Sequence, residues 1–106
     1  MPVGDFFQKA VLELVKQIPE GRVSTYGALA EAVGRKKAAR AVGRALNRNP
    51  EPVKVPCHRV VKSDGSVGGY KHGAAKKEAL LKSEGVRLTG DGVADFKKVF
   101  FGGFRR

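Results

Sequence analysis

Residues 24–34, Ser24-Thr25-Tyr26-Gly27-Ala28-Leu29-Ala30-Glu31-Ala32-Val33-Gly34, and residues 35–48, Arg35-Lys36-Lys37-Ala38-Ala39-Arg40-Ala41-Val42-Gly43-Arg44-Ala45-Leu46-Asn47-Arg48, read as two short helices joined at a glycine. Ser24 or Thr25 can cap the first, because a hydroxyl accepts one of the N–H groups left orphaned in an opening turn. Leu29, Ala30 and Val33 give that helix an apolar side and Gly34 its stop. The second begins around Ala38 and runs to about Leu46, with Ala38, Ala41, Val42, Ala45 and Leu46 as its buried side. Lys36 or Lys37, Arg40, Arg44 and Arg48 recur every three or four residues, so they share a face, and no acidic partner stands at i,i+4 to neutralise them. This is a helix-turn-helix pattern with a bare cationic stripe.

Working outward, Phe7, Ala10, Val11, Leu14 and Ile18 predict an amphipathic helix, with Asp5 near its start and Pro19 at its stop. Glu20-Gly21-Arg22 is a turn. Downstream, Asn47-Arg48-Asn49-Pro50-Glu51-Pro52 forms a stiff loop, followed by Val53 to Val55 and, beyond the lone cysteine, Val60-Val61. Lys62-Ser63-Asp64-Gly65 is a strong turn before the glycine-rich Val67-Gly68-Gly69-Tyr70. A helix fits Ala74 to Ser83, with Ala75, Ala79, Leu80 and Leu81 apolar and Gly85 beyond its end. Thr89-Gly90-Asp91-Gly92 reads as a hinge, and Phe96, Phe100 and Phe104 fall at helical spacing until Gly102-Gly103 interrupts it. The expected fold is mainly α with a short β hairpin, a winged helix-turn-helix-like domain.

A chain of 106 residues with 42% apolar content holds one modest core. No apolar run reaches the length of a membrane span, and a single cysteine excludes an internal disulfide, which points to a reducing, cytoplasmic compartment. Net charge is +11, and residues 35–77 carry +10 of it, from twelve Lys and Arg against Glu51 and Asp64. A one-signed patch suits a polyanion, and nucleic acid before an anionic membrane.

Cys57 sits in Pro56-Cys57-His58-Arg59-Val60. A thiol is only a few per cent thiolate at neutral pH, given an ordinary pKa of about 8.5, so a nucleophilic role needs a base or cation beside it. His58 is adjacent, but neighbours on an extended segment face opposite ways, so contact needs a turn at Pro56-Cys57 or a bridging water. An imidazole base in turn needs an orienting group, ideally a carboxylate, and Glu84 at the end of an apolar helix is placed to be buried. The plainer reading of Cys57 is a small core hydrophobe.

Pro56-Cys57-His58-Arg59-Val60-Val61 resembles the active-site signature of the O6-alkylguanine-DNA alkyltransferases, the methylated-DNA–cysteine methyltransferases. Gly21-Arg22-Val23-Ser24-Thr25-Tyr26-Gly27, Lys37-Ala38-Ala39-Arg40-Ala41-Val42-Gly43, Asn49-Pro50, Gly65-Ser66-Val67-Gly68-Gly69-Tyr70 and Lys77-Glu78-Ala79-Leu80-Leu81-Lys82-Ser83-Glu84-Gly85 resemble blocks of that family's C-terminal catalytic domain, in the same order. The resemblance implies Cys57 as alkyl acceptor, His58 as its water-mediated base and Glu84 as the carboxylate orienting the histidine. It implies Arg40 as the finger that fills the place of the flipped nucleotide, and Tyr26 as the residue turning the phosphate and touching the base. Lys37, Ala39, Arg44 and Arg48 join Arg40 as the expected DNA-binding set, in the minor groove. Asn49 braces the helix-turn-helix against the active-site turn, while Arg59, Val60, Tyr70 and Lys71 complete the expected pocket and its supports.

The implied activity is a single-turnover transfer from O6-alkylguanine in duplex DNA, chiefly O6-methylguanine, to Cys57 after base flipping. No cofactor and no metal are expected, and the protein is expected to be a monomer associated with the nucleoid. Residues 1–88 form the expected catalytic and DNA-binding domain, and 89–106 a Phe-rich basic tail packed on it. The family's usual N-terminal domain is not among these residues, and a separate protein partner in its place is one expectation. Lys71-His72-Gly73 departs from the family's small residue and Gly-Gly, which bears on the pocket. The family's non-enzymatic alkyltransferase-like branch replaces the acceptor cysteine, commonly with tryptophan, so Cys57 argues for the transferase.

Overall fold

The computed structural model describes residues 3–51, 53–90 and 92–105, with side chains from Phe6 onward. Helix α1, Val3–Val15, ends three residues earlier than its apolar spacing suggests, because Gln17 and Ile18 switch to the tighter bonds to Leu14 and Val15 that lead into Pro19. Asp5 lies inside the helix, and its side chain is outside the described residues, as are Pro52 and Asp91. Strand β1, Ser24–Thr25, runs directly into α2, Tyr26–Ala32, and Thr25 is the cap: its Oγ1 accepts from the Ala28 N–H at 3.0 Å. Gly34 stops that segment in the left-handed region at φ 81°. Helix α3 spans Ala39–Asn47 and buries Val42, Ala45 and Leu46. It packs across α1 and α2, so one cluster holds Val11, Leu14, Val15 and Ile18 against Leu29, Ala30, Val42 and Leu46. Each such side chain stabilises the fold by roughly 1.5–3 kcal/mol.

Strand β2, Val60–Val61, pairs in parallel with β1, in the register Ser24 to Val60 and Thr25 to Val61. This pairing holds the segment that carries Cys57 against the start of the helix-turn-helix. After a turn closed by the Gly65 N–H on the Lys62 carbonyl, helix α4 occupies Ala74–Ser83 as expected from its stop signals. Its buried face is not the alanine-rich one. Ala75 and Ala79 are exposed, whereas Lys77 and Leu81 are fully buried.

The β hairpin is at residues 88–93, where a hinge was expected. Strands β3, Leu88–Thr89, and β4, Gly92–Val93, pair antiparallel. Gly92 is at φ 124°, and a Cβ there would lie 2.3 Å from the Gly65 carbonyl oxygen, so only glycine lets the hairpin close on the 62–65 turn. Phe96 opens a single turn, α5, Phe96–Val99, and meets Phe100 at 5.7 Å between rings. The helical spacing goes no further: Phe100 is extended, and the Phe101 N–H donates to the Val23 carbonyl. Phe104 turns instead onto Phe101, edge to face at 5.1 Å. Both rings pack on the main apolar cluster beside α1.

Candidate active site and nucleic-acid interface

Pro56 has φ −79° and ψ 62°, an inverse γ-turn closed by the Cys57 N–H on the Val55 carbonyl at 2.8 Å. The chain then makes one 3₁₀ turn, Cys57–Arg59, so Cys57 and His58 are not on an extended segment. Cys57 is 5% exposed and borders a cavity of about 320 Å³. Asn49, itself buried, donates from Nδ2 to the Val55 carbonyl at 2.9 Å and to Cys57 Sγ at 3.4 Å, while its Oδ1 accepts from the Glu51 N–H. One amide thus ties the end of α3 to the turn that presents the sulfur.

His58 is fully buried, with Nε2 3.0 Å from Glu84 Oε2. A carboxylate only accepts, so the ring proton sits on Nε2, and Nδ1 keeps its lone pair. Nδ1 is buried and, among the described residues, has no hydrogen-bond partner. Glu84 receives two further bonds from Arg59, Nε to Oε1 at 2.9 Å and Nη2 to Oε2 at 2.6 Å, and Arg59 Nη1 donates to the Ile18 carbonyl at 2.8 Å. The fork-to-fork pairing fixes the carboxylate plane and clamps the ends of α1 and α4 to the active turn. Burial raises the Glu84 carboxyl, but the bonds from Arg59 and His58 outweigh it and hold the group below its ordinary value. Burial lowers the His58 value, and Glu84 opposes that only in part, so the ring is neutral at physiological pH.

Tyr26, Tyr70 and Lys71 line the cavity beside Cys57, with Gly43, Leu46 and Asn47 of α3 opposite. Burial, and then the charge of a Cys57 thiolate, push the phenols of Tyr26 and Tyr70 above their ordinary value. Arg59 and Val60 do not line it. Arg59 acts on Glu84, and Val60 is buried below with its N–H on the Cys57 carbonyl. Tyr26, Ala39 and Arg40 border a second, shallow groove with Gly43, Lys62 and Gly69. Arg40 and Arg44 of α3, Arg48 at its end and Lys37 before it are exposed, and among the described residues no carboxylate lies within ion-pair distance of them.

Lys77 is the site residue that patterning overlooked. It is fully buried, and its Nζ donates to the Gly69 carbonyl at 3.0 Å and to Tyr26 Oη at 3.4 Å, over whose ring it stands. Burial pulls it down to about 8, against the attraction of a Cys57 thiolate. Lys77, Leu81 and Glu84 are spaced i, i+4, i+7, and that register was the available signal.

The family model described as 6-O-methylguanine DNA methyltransferase, DNA binding domain, matches residues 6–86. The chain belongs to the 6-O-methylguanine DNA methyltransferase family. It is 51% identical, over 79% of its length, to a methylated-DNA–protein-cysteine methyltransferase of Methanosarcina acetivorans, of which it spans 54%. Among solved structures, Mycobacterium tuberculosis OGT in complex with DNA matches at a TM-score of 0.72 and 44% identity, over 74% of this chain and 48% of that one. S. pombe Atl1, in complex with damaged DNA containing O6-carboxymethylguanine, matches at 0.78 and 34% identity, over 95% of this chain and 98% of its own. The chain therefore spans about half the length of those two methyltransferases and nearly all of Atl1. Its mainly helical, helix-turn-helix-like fold is the one shared with these structures. Among the described residues no helix is long and apolar enough to cross a membrane.

Proposed function

We propose that this chain accepts the alkyl group of O6-alkylguanine in duplex DNA onto Cys57, once per molecule. The observation that carries the reading is the set Cys57, His58, Glu84 and Arg59: a sulfur at the cavity wall, followed in the same 3₁₀ turn by an imidazole already oriented by a doubly held carboxylate. His58 Nδ1 takes the thiol proton through a water molecule, and Glu84 stabilises the imidazolium that results. The thiolate attacks the alkyl carbon, the O6–C bond breaks with its electrons left on guanine, and the base is reprotonated. Tyr26, held by Lys77, offsets the charge that develops on the leaving base. No group in this arrangement hydrolyses a thioether, so the protein is consumed.

Guanine O6 is unreachable for in-line attack inside a stacked duplex, so the nucleotide must flip into the cavity. Arg40 fills the vacated stack, while Lys37, Ala39, Arg44 and Arg48 meet the backbone and minor groove; the protein works as a monomer, with residues 89–106 part of the same domain. Arg40→Ala is expected to slow transfer from duplex about 100-fold, the scale of an unstacking cost of a few kcal/mol, yet to change transfer from free O6-benzylguanine less than about 3-fold. Equal losses on both substrates would assign Arg40 to folding or pocket shape.

The structural match with Atl1, at a TM-score of 0.78 over 95% of this chain, favours a second reading, a lesion-binding protein of the alkyltransferase-like branch. Titrating the protein with O6-methylguanine duplex separates the two. One lesion lost per molecule and then none supports transfer; tight binding with the lesion intact supports the second reading.

A further inference from the structure

Among the described residues, Lys71 is the one charged residue bordering the Cys57 cavity, and no carboxylate borders it. Among the same residues its ammonium makes a single long contact, 3.4 Å to the Asn49 carbonyl, which leaves most of its donor capacity for a ligand. Asn49 is the residue whose amide meets Cys57 Sγ, which puts the Lys71 ammonium on the sulfur's side of the cavity. Lys77 is buried against Tyr26 and Gly69, two other residues of the cavity wall. An O6 substituent attacked by Cys57 therefore enters a cavity bordered by one cation, with a second packed behind its wall.

Resting on the transfer reading above, we propose that the cavity selects O6 adducts bearing a negative charge, carboxymethyl foremost, and that Lys71 is the residue that reads the charge. A carboxylate one carbon beyond the transferred methylene can take a charge-assisted hydrogen bond from Lys71 Nζ while the methylene faces the sulfur. The reaction is the same displacement. Cys57 sulfur forms the bond to the methylene, the O6–C bond breaks with its electron pair left on guanine, and the protein ends as S-carboxymethyl-Cys57 plus unmodified guanine. The neutral carbamoylmethyl adduct has the same size without the charge, and because a carboxylate activates the adjacent carbon less than an amide and repels a thiolate, the contribution of the cation is read from the change in their ratio between proteins.

Single-turnover rates should be measured on one duplex carrying either O6-carboxymethylguanine or O6-carbamoylmethylguanine, in the wild-type chain, Lys71→Gln and Lys71→Glu. The quantity read is the ratio of the two rates within each protein, which cancels any general effect on folding or transfer. The wild-type ratio is expected to exceed one and to stand about 10-fold above that of Lys71→Gln, the range of one charge-assisted contact at a partly exposed site, with the ratio in Lys71→Glu lower still. A ratio that is the same in all three proteins would overturn the assignment to Lys71. A wild-type ratio at or below one would overturn anionic selectivity itself. Failure of all adducts, O6-methylguanine included, to modify Cys57 would instead refute the transfer reading.

Discussion

Cys57→Ala is expected to abolish alkyl transfer to below detection while keeping affinity for unmodified duplex within about 3-fold, because the expected DNA contacts come from α3 and its flanks. The structure gives the reason the fold should tolerate the change. Asn49 loses a long contact to sulfur but keeps the Val55 carbonyl and the Glu51 N–H, so its bracing role survives. Removing one buried sulfur costs about 1 kcal/mol of stability. Transfer assays beside duplex titrations check the pair of outcomes. A large loss of duplex binding would make Cys57 a structural residue, and residual transfer would place the acceptor elsewhere.

Glu84→Gln acts through His58 and is expected to slow transfer roughly 100-fold, the low end of what a positioned general base contributes. The amide still accepts from one partner, but it can no longer receive His58 and both Arg59 donors as a carboxylate does. Thermal unfolding should show a loss of about 1–3 kcal/mol, since part of a buried charge-assisted network is left unsatisfied. The pH dependence separates positioning from stability. Burial already lowers the His58 value, and the Glu84 charge is what raises it, so removing that charge lowers it further. Transfer requires neutral His58, and the acid limb of the single-turnover rate should therefore move to lower pH in the variant, although the plateau is reduced. Identical pH profiles with the wild-type plateau would put Glu84 outside the proton path.

Why these residues were accessible to sequence reasoning differs from one to the next. Helices α2, α3 and α4 follow from local signals that tertiary structure did not override: the Thr25 cap, the Gly34 stop and Gly85 beyond Ser83. The pairing of Cys57 with His58 could only be posed as a question, because it depends on whether Pro56 turns the chain, and a proline permits either outcome. The stretch at 88–93 reads as a hinge rather than a hairpin, since Thr89-Gly90-Asp91-Gly92 suits either. What decides it is the contact of Gly92 with the Gly65 carbonyl, 27 residues away. Lys77 was missed because hydrophobicity marks a lysine as solvent-facing, and α4, with that lysine on its buried face, has almost no amphipathic signal. Its burial is offset by Gly69 in the loop just before the helix and by Tyr26, 51 residues away. Arg59 belongs to the same class: beside a cysteine it reads as an activating cation, yet the fold spends its guanidinium on Glu84 and Ile18.

The measurement that bears most directly on the central claim is the mass of the intact chain after incubation with excess duplex containing O6-methylguanine, followed by proteolysis. The account predicts one addition of about 14 Da per molecule, complete and unchanging with time, on the peptide that carries Cys57. An unmodified mass in protein that still binds the duplex would contradict it, as would a methyl group found on any other residue.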